Sequence, residues 1–214
     1  MTSRHRIPRL AVTGGIGSGK STAVAYLREL GAASVSADDL VHDLLGEASI
    51  VGRIERRHGD AVVSDDAVDR AALAQVVFDD AAELAWLEKL LHPQVRRLIG
   101  EWASGQEGLS QRPALLVAEV PLLFESGMEG EFDHVLLITA PEAVRRKRLA
   151  AKLTESQFRR RAARQIDEAD KAVRSDFVFE NGTVRLRLKD FMAEVYAQIL
   201  ADAAPRRRSG LSRG

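Results

Sequence analysis

One segment, residues 14–22, constrains the fold of this chain more than any other. It reads Gly-Gly-Ile-Gly-Ser-Gly-Lys-Ser-Thr and satisfies the pattern G-x-x-x-x-G-K-[ST] in full. Glycines let such a loop adopt backbone angles closed to other residues and bring several N–H groups around one phosphate. The lysine of this motif reaches the β- and γ-phosphates of ATP, and its hydroxyl coordinates Mg²⁺. The predicted ATP-binding residues are Gly14, Gly15, Ile16, Gly17, Ser18, Gly19, Lys20, Ser21 and Thr22, with Ser21 as the metal ligand.

The surroundings of this segment decide between a phosphate cradle and a glycine-rich turn of an unrelated fold. Residues 9–13 read as a short strand, and apolar residues recur at helical spacing from Lys20 to Leu30, followed by Gly31 at the place of a helix C′ residue. Residues 33–35 would form a second strand. Strand, glycine turn, helix and strand make a βαβ unit, so the sequence predicts an α/β protein of the P-loop NTPase fold with a parallel sheet flanked by helices.

The remaining chain predicts one kinase-sized domain with two helical additions. Buried strands are expected at 114–121, 135–139 and 177–179, whereas residues 40–105 have helical periodicity, with Asp69 as a cap and a break or new helix at Pro93. Thr154 to Gln157 form a capping-box pattern. The predicted divisions are an N-terminal tail 1–8, a single domain 9–204 (core about 9–38, 113–144 and 170–204; helical acceptor-binding insert about 40–105; lid about 145–169) and a basic disordered tail 205–214.

Composition excludes several classes of protein. Lys+Arg and Asp+Glu are equal at 31 each, so no overall field attracts nucleic acid or an anionic membrane. The chain has no cysteine, which removes disulfides and thiolate chemistry. No apolar run approaches the roughly 18 residues of a membrane span, and the basic N-terminus lacks the apolar region of a signal peptide. A cytoplasmic location is therefore expected.

Three classes of P-loop protein compete for this motif. A GTPase should carry N-K-x-D, which is absent, and ATPase machines usually end a strand in Asp-Glu, whereas here the corresponding strand ends in Val-Ala-Glu119-Val-Pro121. A small-molecule kinase needs an acceptor pocket, a base and a mobile basic lid. The helical stretch 40–105, Asp38 and the arginine-rich stretch 145–164 would supply these three parts, so the kinase class is favoured.

A second distinctive stretch after the P-loop is Val-Pro-Leu-Leu-Phe-Glu-Ser-Gly at 120–127. Further positions that recur with it are Ala37-Asp38, Val68-Asp69-Arg70, Leu73, Val77-Phe78, Leu87-Glu88, His92-Pro93, Arg148-Leu149, Arg161, Gln165, Lys171, Ser175-Asp176 and Asn181-Gly182. Together with the P-loop, these motifs resemble the dephospho-coenzyme A kinase family, whose members phosphorylate a ribose 3′-hydroxyl in the last step of coenzyme A synthesis. The similarity covers roughly residues 8–185 in order and without large gaps.

The resemblance implies substrates and residue roles. The substrates would be ATP, with Mg²⁺, and dephospho-coenzyme A, in a monomer or weak homo-oligomer. Asp38 would be the base, since it follows the second strand at the sheet edge where ligands of open α/β folds bind. Lys20, Arg148 and Arg161 would neutralise charge on the transferring group. The implied acceptor-binding residues are His92, Pro121, Leu122 and Phe124.

Several positions depart from the family pattern or allow a second interpretation. Ser36 stands where aspartate is usual, Lys152 where arginine is usual, and Arg145 where glutamine is common. Asp38 also suits a helix cap, although Asp39 is the more favoured cap. His92-Pro93 could have a structural role instead of binding the acceptor, and residues 121–125 could pack in the core instead of lining the acceptor site. Glu119 either holds a magnesium-bound water or simply ends a strand.

Two alternative functions remain beside the hypothesis of a dephospho-coenzyme A kinase. The first is another P-loop nucleoside or nucleotide kinase, which acceptor tests would distinguish. The second is a non-catalytic nucleotide-binding regulatory protein, against which the intact Lys20, Ser21 and Asp38 argue. The basic tail 205–214 is the basis of a third and weaker hypothesis, that the protein contacts nucleic acid.

Overall fold

A computed structural model describes residues 6–78, 80–182 and 185–203. Its strands are Arg9–Thr13 (β1), Ala33–Ser36 (β2), Val63–Ser64 (β3), Ala67–Val68 (β4), Leu116–Glu119 (β5), His134–Thr139 (β6) and Phe177–Glu180 (β7). Its α-helices are Lys20–Glu29 (α1), Ala37–Leu44 (α2), Ala48–His58 (α3), Arg70–Phe78 (α4), Ala81–Gly108 (α5), Glu142–Leu149 (α6), Glu155–Ala163 (α7), Glu168–Val173 (α8) and Arg185–Ala203 (α9). Residues 1–5 of the predicted N-terminal tail and the whole predicted tail 205–214 lie outside the described residues.

Five strands form one sheet in the order β2-β5-β1-β6-β7, and every neighbouring pair is parallel. The inner strands β1, β5 and β6 are mostly buried, which explains why their sequences are continuous apolar runs rather than alternating ones. This sheet confirms the predicted α/β architecture. The two-residue strands β3 and β4 pair antiparallel by themselves, inside the stretch that the sequence predicts to be mainly helical.

The register of the sheet brings three chain segments to one edge. Glu119, the last residue of β5, lies beside Val12 of β1 and Ser36 of β2. The P-loop begins directly after β1, and α2 begins directly after β2. Because parallel strands end at the same edge, the P-loop, Asp38 and Glu119 are neighbours in space although more than 100 residues separate the first from the last.

Two hydrophobic clusters lie on the two faces of the sheet. One joins β1, β5 and β6 to α1 and α9 through residues such as Leu27, Met192 and Ile199. The other joins the sheet to the helices that follow β2, and contains Ile54, Leu91 and Leu123. Helices α2–α5 therefore pack on one face and α1 and α9 on the other. Within the described ranges, no helix combines the length and apolarity that crossing a membrane requires.

Helix ends agree with the predicted caps in three places. The Asp69 carboxylate accepts hydrogen bonds from the N–H groups of Ala71 and Ala72 at the start of α4. Thr154 and Gln157 form the predicted capping box of α7. Gly31 follows α1 with a φ of 101°, the left-handed conformation expected of a helix C′ glycine.

The cap of α2 differs from the prediction. Asp39 is wrong as the cap, because the hydroxyl of Ser36 fills the N-cap position and accepts the N–H of Asp39 at 3.3 Å. Asp38 is not the cap either and lies in the first turn of α2. A serine hydroxyl serves this position as well as an aspartate does, so the carboxylates of Asp38 and Asp39 are not needed for capping.

Pro93 does not break its helix, contrary to the prediction. Helix α5 continues through it from Ala81 to Gly108. An interior proline removes one backbone hydrogen bond to the carbonyl four residues earlier. Pro93 and Lys89 are both exposed, so water can replace that bond. Leu90 before the proline and Val95 after it are buried in the same cluster, and this packing stabilises the helix across the interruption.

Candidate active site

The loop between β1 and α1 has the backbone that a phosphate cradle requires. Gly14 has a φ of 144°, and a Cβ atom there would lie 2.0 Å from the carbonyl oxygen of Ile138. Gly19 has a φ of 105°, and a Cβ atom there would lie 2.2 Å from Nδ2 of Asn181. Both positions exclude any side chain, because the backbone of a neighbouring strand or a buried amide occupies the space. The glycines thus keep the loop closed over the start of α1.

Lys20 lies inside this loop. Its side chain is buried, and Nζ donates to the carbonyl oxygens of Gly14 at 3.1 Å and Gly15 at 3.2 Å. Burial lowers the pKa of the Lys20 ammonium, and the carboxylates of Glu119 and Asp38 partly oppose that shift. The lysine is therefore held in the loop by weak, exchangeable carbonyl contacts, and two carboxylates lie close enough to act on its charge.

Glu119 and Ser21 are in direct contact. The Ser21 hydroxyl donates to Oε1 of Glu119 at 3.0 Å. Burial raises the pKa of the Glu119 carboxyl, while the Ser21 hydrogen bond and Lys20 lower it. The charges of Asp38 and Asp39 raise the pKa of Glu119 further. These two residues follow Ser36, which lies beside Glu119 in the sheet, so three acidic residues and the Ser21 hydroxyl share this edge. A carboxylate disfavoured by burial and by like charges would be stabilised by a bound cation.

Arg148 occupies the outer side of the P-loop. Its Nη1 donates to the carbonyl oxygens of Gly17 and Ser18 at 3.2 and 3.1 Å. Its Nη2 donates to the carbonyl oxygens of Asn181 and Gly182, both at 3.1 Å. The guanidinium therefore links the P-loop to the segment that follows β7.

Arg161 and Lys152 lie on the surface of the segment that links β6 to β7. Both side chains are exposed. The Arg161 side chain makes no hydrogen bond or ion pair with any other residue that the structure describes. The structure thus brings Lys20, Ser21, Asp38 and Glu119 together and leaves Arg161 apart from them.

The segment 121–127 after β5 contains three predicted acceptor-binding residues. The carbonyl oxygen of Pro121 accepts the Thr13 hydroxyl at 3.4 Å, which fixes this segment to the end of β1. Pro121 and Leu122 are half-buried. Phe124 is only 6% exposed and packs in the core, with the guanidinium of Arg174 4.4 Å from its ring centroid. Pro121 and Leu122 are thus the more accessible members of this group.

His92 is half-buried on α5. Burial lowers the pKa of its imidazole, and Arg164 and Arg96 lower it further, whereas Glu88 opposes the shift. These contacts hold the imidazole in its neutral form at neutral pH. A neutral half-buried ring suits packing or a hydrogen bond to a ligand better than it suits proton transfer.

No function was predicted for Arg145 from the sequence, but in the structure its guanidinium lies against the P-loop at Gly15. Its side chain is 12% exposed, its Nε donates to the carbonyl oxygen of Ala140 at 3.0 Å, and Nη2 lies 3.4 Å from Oε1 of Glu168. A Cβ atom at Gly15 would lie 2.7 Å from its Nη1. Its charge also lowers the pKa of Lys20. In sequence Arg145 is one of seven arginines in a basic stretch and stands where glutamine is common in the family, and neither feature indicates a contact with the P-loop.

Gln165, Lys171 and Asn181 matched the family spacing, but no function was attached to them. The Asn181 side chain donates to the carbonyl oxygen of Ser18 at 2.7 Å and so supports the P-loop. The Gln165 side chain donates to the carbonyl oxygens of Gly14 and Pro121. Their partners are more than 40 residues away, so only the folded chain identifies what these side chains hold.

Comparison with known proteins places these features in a family. The family profile described as dephospho-CoA kinase matches residues 9–185. A dephospho-CoA kinase from Protochlamydia amoebophila is 34% identical over 91% of this chain and 97% of its own length. A crystal structure of a Thermus thermophilus protein is 34% identical with a TM-score of 0.76, covering 94% of this chain and 100% of its own. A dephospho-CoA kinase from Campylobacter jejuni is 25% identical with a TM-score of 0.59, covering 89% and 96%.

Proposed function

We propose the reaction of this chain from one established premise: the chain belongs to the dephospho-CoA kinase family. It transfers the γ-phosphoryl group of ATP to the ribose 3′-hydroxyl of dephospho-CoA. The observation that carries this proposal is the placement of the P-loop, which follows β1, and of Asp38, which follows β2, at one edge of the parallel sheet. A cradle for the donor and a base for the acceptor are the two parts that such a transfer needs.

ATP binds in the loop of residues 14–22. The backbone N–H groups of the loop and the N-terminus of α1 surround the β-phosphate. Lys20, which donates to the carbonyl oxygens of Gly14 and Gly15, exchanges them for phosphate oxygens when ATP binds. Its lowered pKa reflects a site with little water, where a cation acts strongly on developing negative charge.

The residues of this site fit a magnesium ion. Mg²⁺ usually keeps several waters and takes one or two protein oxygens together with substrate phosphates. Ser21 would supply one ligand, and Glu119, hydrogen-bonded to Ser21, would hold a metal-bound water. When bound there, Mg²⁺ would supply positive charge that neutralises the phosphates of ATP.

Asp38 acts as the base. The 3′-hydroxyl oxygen attacks the γ-phosphorus, the bond to the β,γ-bridging oxygen breaks, and the hydroxyl proton passes to Asp38 late in the transfer. The carboxylate is exposed in the first turn of α2, and Ser36 caps that helix. Asp38 is therefore free to contact the acceptor.

Glu119→Gln should raise the Mg²⁺ concentration that gives half-maximal turnover by about 10- to 100-fold. The neutral amide keeps the size of the side chain but removes the charge that orients a metal-bound water. The measurement is initial rate against free Mg²⁺ at saturating ATP. Glu194→Gln on the exposed face of α9 is the matched control. An unchanged Mg²⁺ dependence would show that Glu119 does not hold a metal-bound water and simply ends a strand.

Arg148→Ala and Arg161→Ala should each lower kcat by tenfold or more, since each removes a positive charge that the proposed reaction uses to neutralise the transferring group. Arg148→Ala should in addition raise the KM for ATP, because Arg148 supports the P-loop through Gly17 and Ser18. Arg159→Ala, on the same helix as Arg161 and paired with Glu155, is the control. A normal kcat in either variant would show that the substituted arginine is a solvated surface residue with no role in catalysis.

The test of the proposed function is ADP release from ATP and Mg²⁺, measured with and without dephospho-CoA. Turnover should depend on the acceptor and reach ordinary kinase rates, about 1–100 per second. Mass spectrometry should identify CoA as the product. Turnover with a nucleoside acceptor instead would indicate another P-loop kinase, and tight ATP binding without turnover would indicate a regulatory protein. The monomeric or weakly associating state and the cytoplasmic location stay predictions.

A further inference from the structure

A buried lysine of α8 lies beside the active site and has no part in the mechanism above. The side chain of Lys171 is 1% exposed, and Nζ lies 2.7 Å from Oε1 of Glu125, whose side chain is 13% exposed. In the described part of the chain, no second carboxylate pairs with this ammonium. Burying a lysine is unfavourable unless its partner is well placed, so the pair depends on Glu125 staying where it is.

Glu125 contacts a second group besides the Lys171 ammonium. The same Oε1 atom accepts the backbone N–H of Ile166 at 2.9 Å. One carboxylate of the segment 121–127 thus fixes both ends of the segment 166–171. The Ser175 hydroxyl donates to the Lys171 carbonyl oxygen at 2.8 Å, which secures the end of α8 in turn.

The residue next to Ile166 connects this arrangement to the P-loop. The side-chain amide of Gln165 donates to the carbonyl oxygen of Gly14 at 3.2 Å and to that of Pro121 at 3.1 Å. One amide therefore spans the first residue of the ATP cradle and the first residue of the segment 121–127. Lys171 also contributes to the field at Lys20, so the pair lies within electrostatic reach of the phosphate site.

We propose that Lys171 is a positioning residue: through Glu125 it keeps the Gln165 bridge in place and so sets the distance between the ATP cradle and the segment 121–127. The inference rests on the proposed function, in which Pro121 and Leu122 contact the acceptor. Phosphoryl transfer requires the attacking oxygen in line and close to the γ-phosphorus, and a displacement of about 1 Å can lower the rate about 100-fold. Loss of this spacing should admit water as a competing acceptor.

The alternative is that the pair only stabilises the fold. Removing one partner of a buried pair leaves an uncompensated charge and is strongly destabilising, whereas replacing both by neutral groups of similar size is often tolerated. Comparing Lys171→Met and Glu125→Gln with the double variant therefore separates stability from positioning. The matched control is the exposed pair of Lys189 and Glu29 (2.9 Å), replaced in the same way.

For each variant the urea midpoint, the Kd for ATP, kcat, the KM for both substrates and the ratio of CoA formed to ADP released are measured. We expect both single variants to lose stability and the double variant to recover most of it. The folded double variant should bind ATP within about twofold of the wild type but lose about 10- to 100-fold in kcat. Its ratio of CoA to ADP should fall below one. The surface double variant should behave as the wild type.

A double variant that folds and retains wild-type kcat and coupling ratio overturns the positioning role. If the double variant does not fold, Gln165→Ala is measured instead. Gln165 is only half-buried, so its replacement should leave the protein folded. It should show the same lowered coupling ratio, and a wild-type ratio overturns the proposal. A wild-type protein that makes no CoA is a separate result, since it contradicts the proposed function before any variant is compared.

Discussion

Lys20→Met should lower kcat for CoA formation by at least about 100- to 1,000-fold, the loss expected when one preorganised donor to a transition-state charge is removed. The Lys20 ammonium is buried and donates to two loop carbonyl oxygens, which phosphate oxygens can replace. Methionine keeps the length and apolar stem, so the loop should still fold. The measurement is steady-state turnover with dephospho-CoA together with the Kd for ATP.

The control for this variant is Lys89→Met on the exposed side of α5. It removes a lysine charge of the same kind away from the P-loop and should leave kcat within about twofold of the wild type. Residual activity of Lys20→Met within tenfold of the wild type would show that the lysine does not carry charge stabilisation. A parallel thermal unfolding curve excludes a loss of fold as the cause.

Asp38→Asn should lower kcat by about 100- to 10,000-fold, the usual contribution of a positioned general base, while ATP binding stays near normal. The amide preserves the shape of the side chain and cannot accept the hydroxyl proton. Because Ser36 rather than Asp38 caps α2, the substitution should not unfold the helix. The Kd for ATP, kcat and unfolding midpoint together separate loss of chemistry from loss of binding or fold.

The adjacent residue provides the matched control for that substitution. Asp39 is also exposed in the first turn of α2, and its backbone N–H, not its side chain, takes part in the cap. Asp39→Asn should therefore retain most of the activity. If the two variants were equally active, or equally impaired, Asp38 would have no distinct role as base.

Much of this fold could be predicted from the sequence because its signals are local. The run Gly14 to Thr22 has few alternatives, and continuous apolar runs such as 135–139 identify strands buried on both faces. Asp69 and the Thr154–Gln157 box mark helix starts through bonds to neighbours in sequence. Membership of the family then follows from motifs spread over most of the chain.

Features set by distant contacts could not be predicted in the same way. Pro93 signals a helix break locally, but packing of the residues on either side keeps α5 continuous. The contacts of Arg145 with Glu168 and Gly15 could not be predicted, because these residues are distant from it in sequence. Lys171 matches the family spacing, but its role could not be predicted because its partner Glu125 is 46 residues earlier in the chain.

The most direct test of the central claim compares dephospho-CoA with its 3′-deoxy analogue as acceptors for the wild-type protein. Both are incubated with ATP and Mg²⁺, and the products are identified by mass spectrometry and ³¹P NMR. We predict that dephospho-CoA acquires a phosphomonoester on the 3′-oxygen and is converted to CoA, whereas the analogue is not phosphorylated. Phosphorylation of the analogue at a comparable rate, or no conversion of dephospho-CoA, would contradict transfer to the ribose 3′-hydroxyl.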